Sequence, residues 1–102
     1  MTHRPHRITS RDANQAAIAA ELRRAGFEVL DVSPLGGCVL DLLVIGYDLN
    51  QRRIVMRVVE VKVPGEESNL TDDEAEMLCK WPDVCVLVTC AEDVLRVYGR
   101  IA

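Results

Sequence analysis

Aromatic residues are nearly absent from this chain: Phe27, Tyr47, Trp81 and Tyr98 make up 4% of its 102 residues. The core must therefore be aliphatic, and rows of rings on which unpaired bases stack are excluded. Long apolar runs are missing too. None approaches the roughly twenty residues that span a bilayer, so no membrane partner is expected. No signal-peptide pattern opens the sequence. The four cysteines (Cys38, Cys79, Cys85, Cys90) contain no Cys-x-x-Cys pair and have no histidine cluster at zinc spacing. They read as reduced thiols of a cytoplasmic protein, with Cys85 and Cys90 in the core. Nothing calls for an organic cofactor.

An excess of positive charge is also lacking, since the formal net charge is −4. Its distribution is uneven. Residues 1–24 carry five arginines against two acids, whereas residues 64–80 carry six acids against Lys80 alone. A basic N-terminal face can meet phosphates while the acidic segment faces solvent or a partner, and Arg4, Arg7 and Arg11 are the expected phosphate contacts. With 49% hydrophobic and 27% charged residues, the length suits one globular domain over residues 10–102, preceded by a flexible basic arm over residues 1–9. His3 and His6 lie in that arm. Pro5 opposes a helix there and no third ligand is near, which favours a solvated tail over a metal site.

Two apolar, β-branched runs organise the rest: Leu40-Asp41-Leu42-Leu43-Val44 and Arg57-Val58-Val59-Glu60-Val61-Lys62-Val63. Each holds ionisable groups where a buried strand should have none, and an unpaired buried charge is costly or neutralises itself. Period-two alternation puts Ile54, Met56, Val58, Glu60 and Lys62 on one face of the second run, and Asp41, Leu43 and Ile45 on one face of the first. If the runs pair, Asp41 sits beside Glu60. The simplest common partner for two carboxylates is a divalent cation.

The remaining elements read in order. Residues 10–25 have a helical pattern, capped by Thr9 or Ser10, with Ile18, Leu22 and Ala25 as its apolar stripe and Gly26 as its stop. Gln15 extends that stripe and Asn14 flanks it. Residues 27–32 alternate as a strand. Gly36 and Gly37 form a loop that either lets backbone approach a metal–phosphate site or simply turns a hairpin. The strand from Cys38 to Tyr47, the turn 48–51 and the strand from Arg52 to Val63 make an antiparallel hairpin. Thr71 caps a helix to about Lys80, with Glu74 completing a capping box and Ala75, Leu78 and Cys79 as its buried face. Residues 84–89 form a buried strand. Residues 92–98 form a last element, helix or strand.

Asp12-Ala13-Asn14-Gln15, Leu22-Arg23-Arg24-Ala25-Gly26, Gly36-Gly37, Leu40-Asp41-Leu42-Leu43-Val44, Glu60-Val61-Lys62 and Leu70-Thr71-Asp72-Asp73-Glu74 together resemble the PD-(D/E)xK nuclease superfamily. The likeness is to its small phage- and prophage-type members, related to the virus-type replication-repair nuclease module. It runs over nearly the whole chain. One departure is Leu40, where the family has a proline that shapes the turn before the acid. The resemblance implies a restriction-endonuclease-like α/β core, a mixed sheet in α-β-β-β-α-β order flanked by helices. It implies a Mg2+-dependent deoxyribonuclease, with Mn2+ able to substitute, acting on DNA; selectivity for branched or junction structure is one option, and junction, flap, nick and ordinary duplex all stay open as substrates. It also implies that Gln15 reaches the metal or the scissile phosphate; the residues alone equally allow a polar end to a packed helix.

The chemistry that such residues serve is specific. A phosphodiester repels hydroxide, so cleavage needs a cation on a non-bridging oxygen, a deprotonated water and charge compensation at the leaving oxygen. Asp41 and Glu60 supply carboxylates, the Val61 carbonyl a third oxygen, and Lys62 holds or helps deprotonate the attacking water. So small a domain covers little DNA, and a homodimer would place two sites on two strands. Two alternatives stand beside this reading. One is a catalytically inactive nucleic-acid-binding or protein-assembly module of the same fold. The other is a small subunit whose acidic helix docks on a partner, with Asp41, Glu60 and Lys62 merely pairing.

Overall fold

The structure, a computed structural model, describes residues 10–32 and 40–102. The arm 1–9, with Arg4 and Arg7, and the loop carrying Gly36 and Gly37 lie outside those residues. Helix α1 spans Ser10–Arg24, with Asp12 in its first turn. Its stop is the one that Gly26 announces. Gly26 adopts φ +94°. Its N–H donates to the Arg23 carbonyl and the Phe27 N–H donates to the Leu22 carbonyl, the paired bonds of a Schellman cap. Ala25 falls in this cap and is exposed, so the buried stripe is Gln15, Ile18, Ala19 and Leu22 rather than one reaching Ala25.

Four strands follow: β1 Glu28–Asp31, β2 Leu42–Asp48, β3 Arg53–Val61 and β4 Cys85–Val88. They form one mixed sheet in the order β1-β2-β3-β4. The first three are antiparallel, and β4 runs parallel to β3. The parallel pairing requires a crossover, and helix α2, Asp72–Lys80, supplies it. Helix α3, Ala91–Val97, closes the chain and settles the last element as a helix. Among the described residues the result is an α/β domain of three helices on a four-stranded mixed sheet. No helix among the described residues is long and apolar enough to cross a membrane.

Helices α1 and α3 cover one face of the sheet. Ile18, Ala19 and Leu22 from the first and Ala91 and Val94 from the second meet Val29, Leu42, Val44, Val59, Val61 and Val88. The core is aliphatic apart from Phe27 and Tyr98, whose rings meet edge to face with centroids 4.9 Å apart. Gly46 makes that contact possible: a Cβ there would stand 2.2 Å from the Phe27 ring.

Arg57 interrupts the core face of β3, and its partner is Asp48 at the end of β2. The Arg57 guanidinium donates to Asp48 Oδ2 at 2.8 Å and lies 4.4 Å from the centre of the Tyr98 ring. Asp48 Oδ1 accepts from the backbone N–H groups of Asn50 and Gln51. Burial alone would raise the Asp48 pKa, but these bonds together lower it. One buried ion pair thus fixes the hairpin turn and the sheet's far end.

The opposite face differs from expectation. Ile54 and Met56, the apolar stripe leading to Glu60, are 63% and 54% exposed. Helix α2 packs against β4 and leaves them uncovered. Its buried face is not Ala75, Leu78 and Cys79. Ala75 and Cys79 are exposed and Leu78 is half-buried, while the buried residue is Glu74. Cys85 is buried as expected, whereas Cys90 is half-buried.

Candidate functional site

At the C-terminal end of β3 three acids and a lysine come together. Glu60 is fully buried. Lys62 Nζ stands 3.3 Å from Glu60 Oε1, in range for charge attraction but not aligned as a hydrogen bond. Neither Glu60 oxygen therefore has a hydrogen-bond partner among the described residues. Lys62 Nζ also lies 3.3 Å from Glu74 Oε1, so its ammonium is held between two carboxylates from opposite layers.

Glu74 is there because of its capping box. Its N–H donates to Thr71 Oγ1 at 3.1 Å, and its Oε1 accepts from the Thr71 N–H at 2.9 Å. That local geometry turns the carboxylate inward from the start of α2. An acid that the sequence assigns to helix capping thereby becomes a wall of the site.

Asp41 lies one residue ahead of β2, outside the ladder rather than within a strand. Its N–H donates to the Val59 carbonyl at 3.0 Å, which brings the side chain to the end of β3. Asp41 Oδ2 accepts from the Val61 N–H at 2.8 Å. Oδ1 accepts from the Arg11 guanidinium. Asp41 is 2% exposed and close enough to Glu60 for their charges to interact.

The electrostatics follow from this crowding. Burial raises the Glu60 pKa, and the neighbouring Glu74 and Asp41 carboxylates push it further, to about 8; Lys62 only partly opposes them. Burial also works against ionised Glu74, but the Thr71 N–H, Glu60 and Lys62 outweigh it and lower its pKa. Of the two acids Glu60 therefore keeps the proton at neutral pH and Glu74 the charge. Lys62 is raised despite its burial, because Glu60 and Glu74 flank it. Arg11 is raised chiefly by its bond to Asp41.

The expected site residues divide. Asp41, Glu60, Lys62 and the Val61 backbone meet at one end of β3, and Arg11 joins them. Gln15 is buried on the stripe as expected, but its amide donates to Asp31 Oδ1 of β1 at 3.1 Å. Its neighbour Asn14 hydrogen-bonds the backbone just beyond the acid-bearing strand. Asn14 Nδ2 donates to the Lys62 carbonyl at 3.1 Å and to the Thr89 carbonyl at 3.0 Å, fastening β3 to the segment after β4. Asn14→Ala leaves two half-buried carbonyls without that donor and is expected to cost about 1–3 kcal/mol in denaturant unfolding. An unchanged midpoint would mean that water satisfies both carbonyls equally well.

The donor set bears on a cation. Among the described residues, no three His, Cys, Asp or Glu side chains are arranged to hold a metal ion by themselves. Two carboxylates remain, and magnesium commonly takes one or two and keeps its waters. Glu60, buried beside two further acids, fits such an ion where Lys62 gives way at Oε1. Asp41 fits it only if Arg11 yields an oxygen. No family model, no curated protein and no solved structure matches this chain.

Proposed function

We propose that this protein is a metal-dependent deoxyribonuclease with a restriction-endonuclease-like core. The observation that carries the reading is Glu60: a fully buried acid at the C-terminal end of β3, crowded by Asp41 and Glu74 and offset by Lys62 at 3.3 Å. Burying an acid among two others, with one lysine to offset them, costs stability that a bound cation would relieve. The order of elements and the acid-x-Lys run at the end of the longest strand agree with the resemblance.

In this reading Asp41, Glu60 and the Val61 carbonyl would hold Mg2+ or Mn2+, which would neutralise phosphate charge. Glu60, whose pKa is raised to about 8, would have to lose its proton to serve, so cation affinity would rise with pH. Lys62 stays protonated at neutral pH because its pKa is raised. It therefore orients the attacking water and offsets phosphate charge as an ammonium, rather than taking the water's proton. Asn14 fixes the Lys62 backbone. The arginines of the N-terminal segment bring the duplex in, and a homodimer presents two sites to two strands, with the uncovered Leu30, Ile54 and Met56 face as available apolar surface.

One observation favours the inactive module of the same fold. Arg11 already compensates Asp41, so the charges can satisfy one another without a cation. The deciding experiment is a cleavage panel of linear, nicked, flapped and four-way-junction DNA, in Mg2+ or Mn2+ and with chelator. Chelator-sensitive cleavage of at least one substrate supports the nuclease. Binding without cleavage of any substrate supports the module.

A further inference from the structure

We propose that Arg11 is a gate on the metal site: its guanidinium occupies Asp41 in the free protein, and a DNA phosphate must draw it away before the divalent cation is bound tightly. The inference rests on the nuclease reading and adds to it an order of assembly.

Three observations carry it. Both Asp41 oxygens are engaged, Oδ2 by the Val61 N–H inside the sheet and Oδ1 by Arg11. Only the second partner can leave without breaking the fold, because the Arg11 side chain is 49% exposed while Asp41 is 2% exposed. Arg11 also feels the charges of Glu60 and Glu74 as well as Asp41. It is thus the counter-ion of the same acids that a cation would neutralise. It is set in the first turn of α1, directly after the segment that carries Arg4 and Arg7.

Arginine and a cation compete for Asp41 Oδ1. A phosphate offers the guanidinium two oxygens in fork geometry, whereas Asp41 has only one oxygen to offer. A duplex docked by the N-terminal arginines therefore releases Asp41 where the phosphate lies. Binding of DNA and of cation is then mutually reinforcing, and by linkage each raises the affinity of the other by the same factor. A free protein so gated holds cation weakly until substrate is present.

The test is manganese affinity, measured by calorimetry on the whole chain. Arg11→Ala is expected to bind Mn2+ at least about fivefold more tightly than the unmutated protein without DNA, the low end of ordinary coupling. Arg11→Gln, which keeps a hydrogen-bond donor for Asp41 but no charge, is expected to do the same and serves if Arg11→Ala does not fold. Arg24→Ala removes a charge from the other end of α1 and is expected to change nothing. In the Lys62→Ala background, where cleavage is expected to be at least about a hundredfold slower, a short duplex is expected to tighten Mn2+ binding, and by less once Arg11 is also replaced. Equal Mn2+ affinities in the unmutated and Arg11 proteins overturn the gate and leave the metal site standing. So does weaker binding in the Arg11 variants, or equal tightening in Arg24→Ala. No Mn2+ binding by any of them overturns the gate and the nuclease reading together.

Discussion

Lys62→Ala is expected to lose at least about a hundredfold in single-turnover DNA cleavage, the lower range for removing one fixed group that stabilises developing charge, while the protein stays folded. Its ammonium lies between Glu60 and Glu74, and in the proposed site it would meet the developing phosphate charge. The stability cost is smaller, about 1–3 kcal/mol for a lost charged hydrogen bond, because Glu60 already keeps its proton at neutral pH. Asp41→Asn and Glu60→Gln are expected to lose activity at least as severely, since they remove the charges that hold the cation. Combined variants are expected to fall short of the product of the single losses, because all three residues serve one centre. Single-turnover rates beside melting curves and duplex binding separate these effects. Full cleavage by a folded Lys62→Ala would remove the lysine from the mechanism.

Glu60→Gln is expected to stabilise the metal-free protein at alkaline pH, an unusual sign for a change in a fully buried group. The folded pKa of Glu60 is about 8, against 4.5 for the free side chain. Between those values the folded state binds the proton more tightly, so wild-type stability falls as pH rises through that window. The groups facing Glu60 are Lys62 on its own strand, Asp41 ahead of β2, Glu74 of α2 and Arg11 of α1. Only Lys62 and Arg11 favour its ionised form. The shift corresponds to a penalty on the order of 2–5 kcal/mol above pH 8, or roughly 10 °C or more in melting temperature for a domain of this size. The glutamine cannot ionise and escapes the penalty. Glu74, Asp48 and Asp93 have lowered pKa values, so their contributions fail instead as pH drops into the acid range. The difference between the two melting curves, recorded from pH 5 to 9 in chelator, isolates Glu60. Parallel curves would show that Glu60 ionises freely. A saturating divalent cation is expected to stabilise the wild type at pH 8 and not the variant.

The features legible in the sequence are those decided by neighbours along the chain. Gly26 ends α1 because only a residue free of Cβ accepts that φ, and the Leu22 and Arg23 carbonyls lie within reach. Thr71 and Glu74 announce their capping box at fixed spacing. Alternation over residues 42–48 and 53–61 gives the hairpin, and the helix between two apolar strands gives the parallel crossover. The same alternation brings Asp41 and Glu60 to one end of the sheet. What was not legible depends on how elements rotate and lean. Asn14 and Gln15 are adjacent, about 100° apart around the helix axis, and only the seating of α1 decides that Asn14 meets Lys62 while Gln15 meets Asp31. The buried residue of α2 follows from where the helix crosses the sheet, so Glu74 turned inward and Ala75 and Cys79 outward. Arg57 reads as a flaw in an apolar face until the turn brings Asp48 to it. Arg11 reads as a phosphate contact, and nothing along the chain shows that the fold also sets it against Asp41.

The most direct test of the site needs no knowledge of the DNA substrate. It is a manganese titration of the metal-free protein at pH 8, followed by the spin resonance of free Mn2+, on the wild type, Arg11→Ala and Glu60→Gln. One bound ion is expected in the first two, held more weakly in the wild type, and binding at least about tenfold weaker than the wild type's is expected in Glu60→Gln, because the buried acid proposed to receive the ion is gone. No binding in either the wild type or Arg11→Ala, or binding that Glu60→Gln leaves unaltered, overturns the metal site.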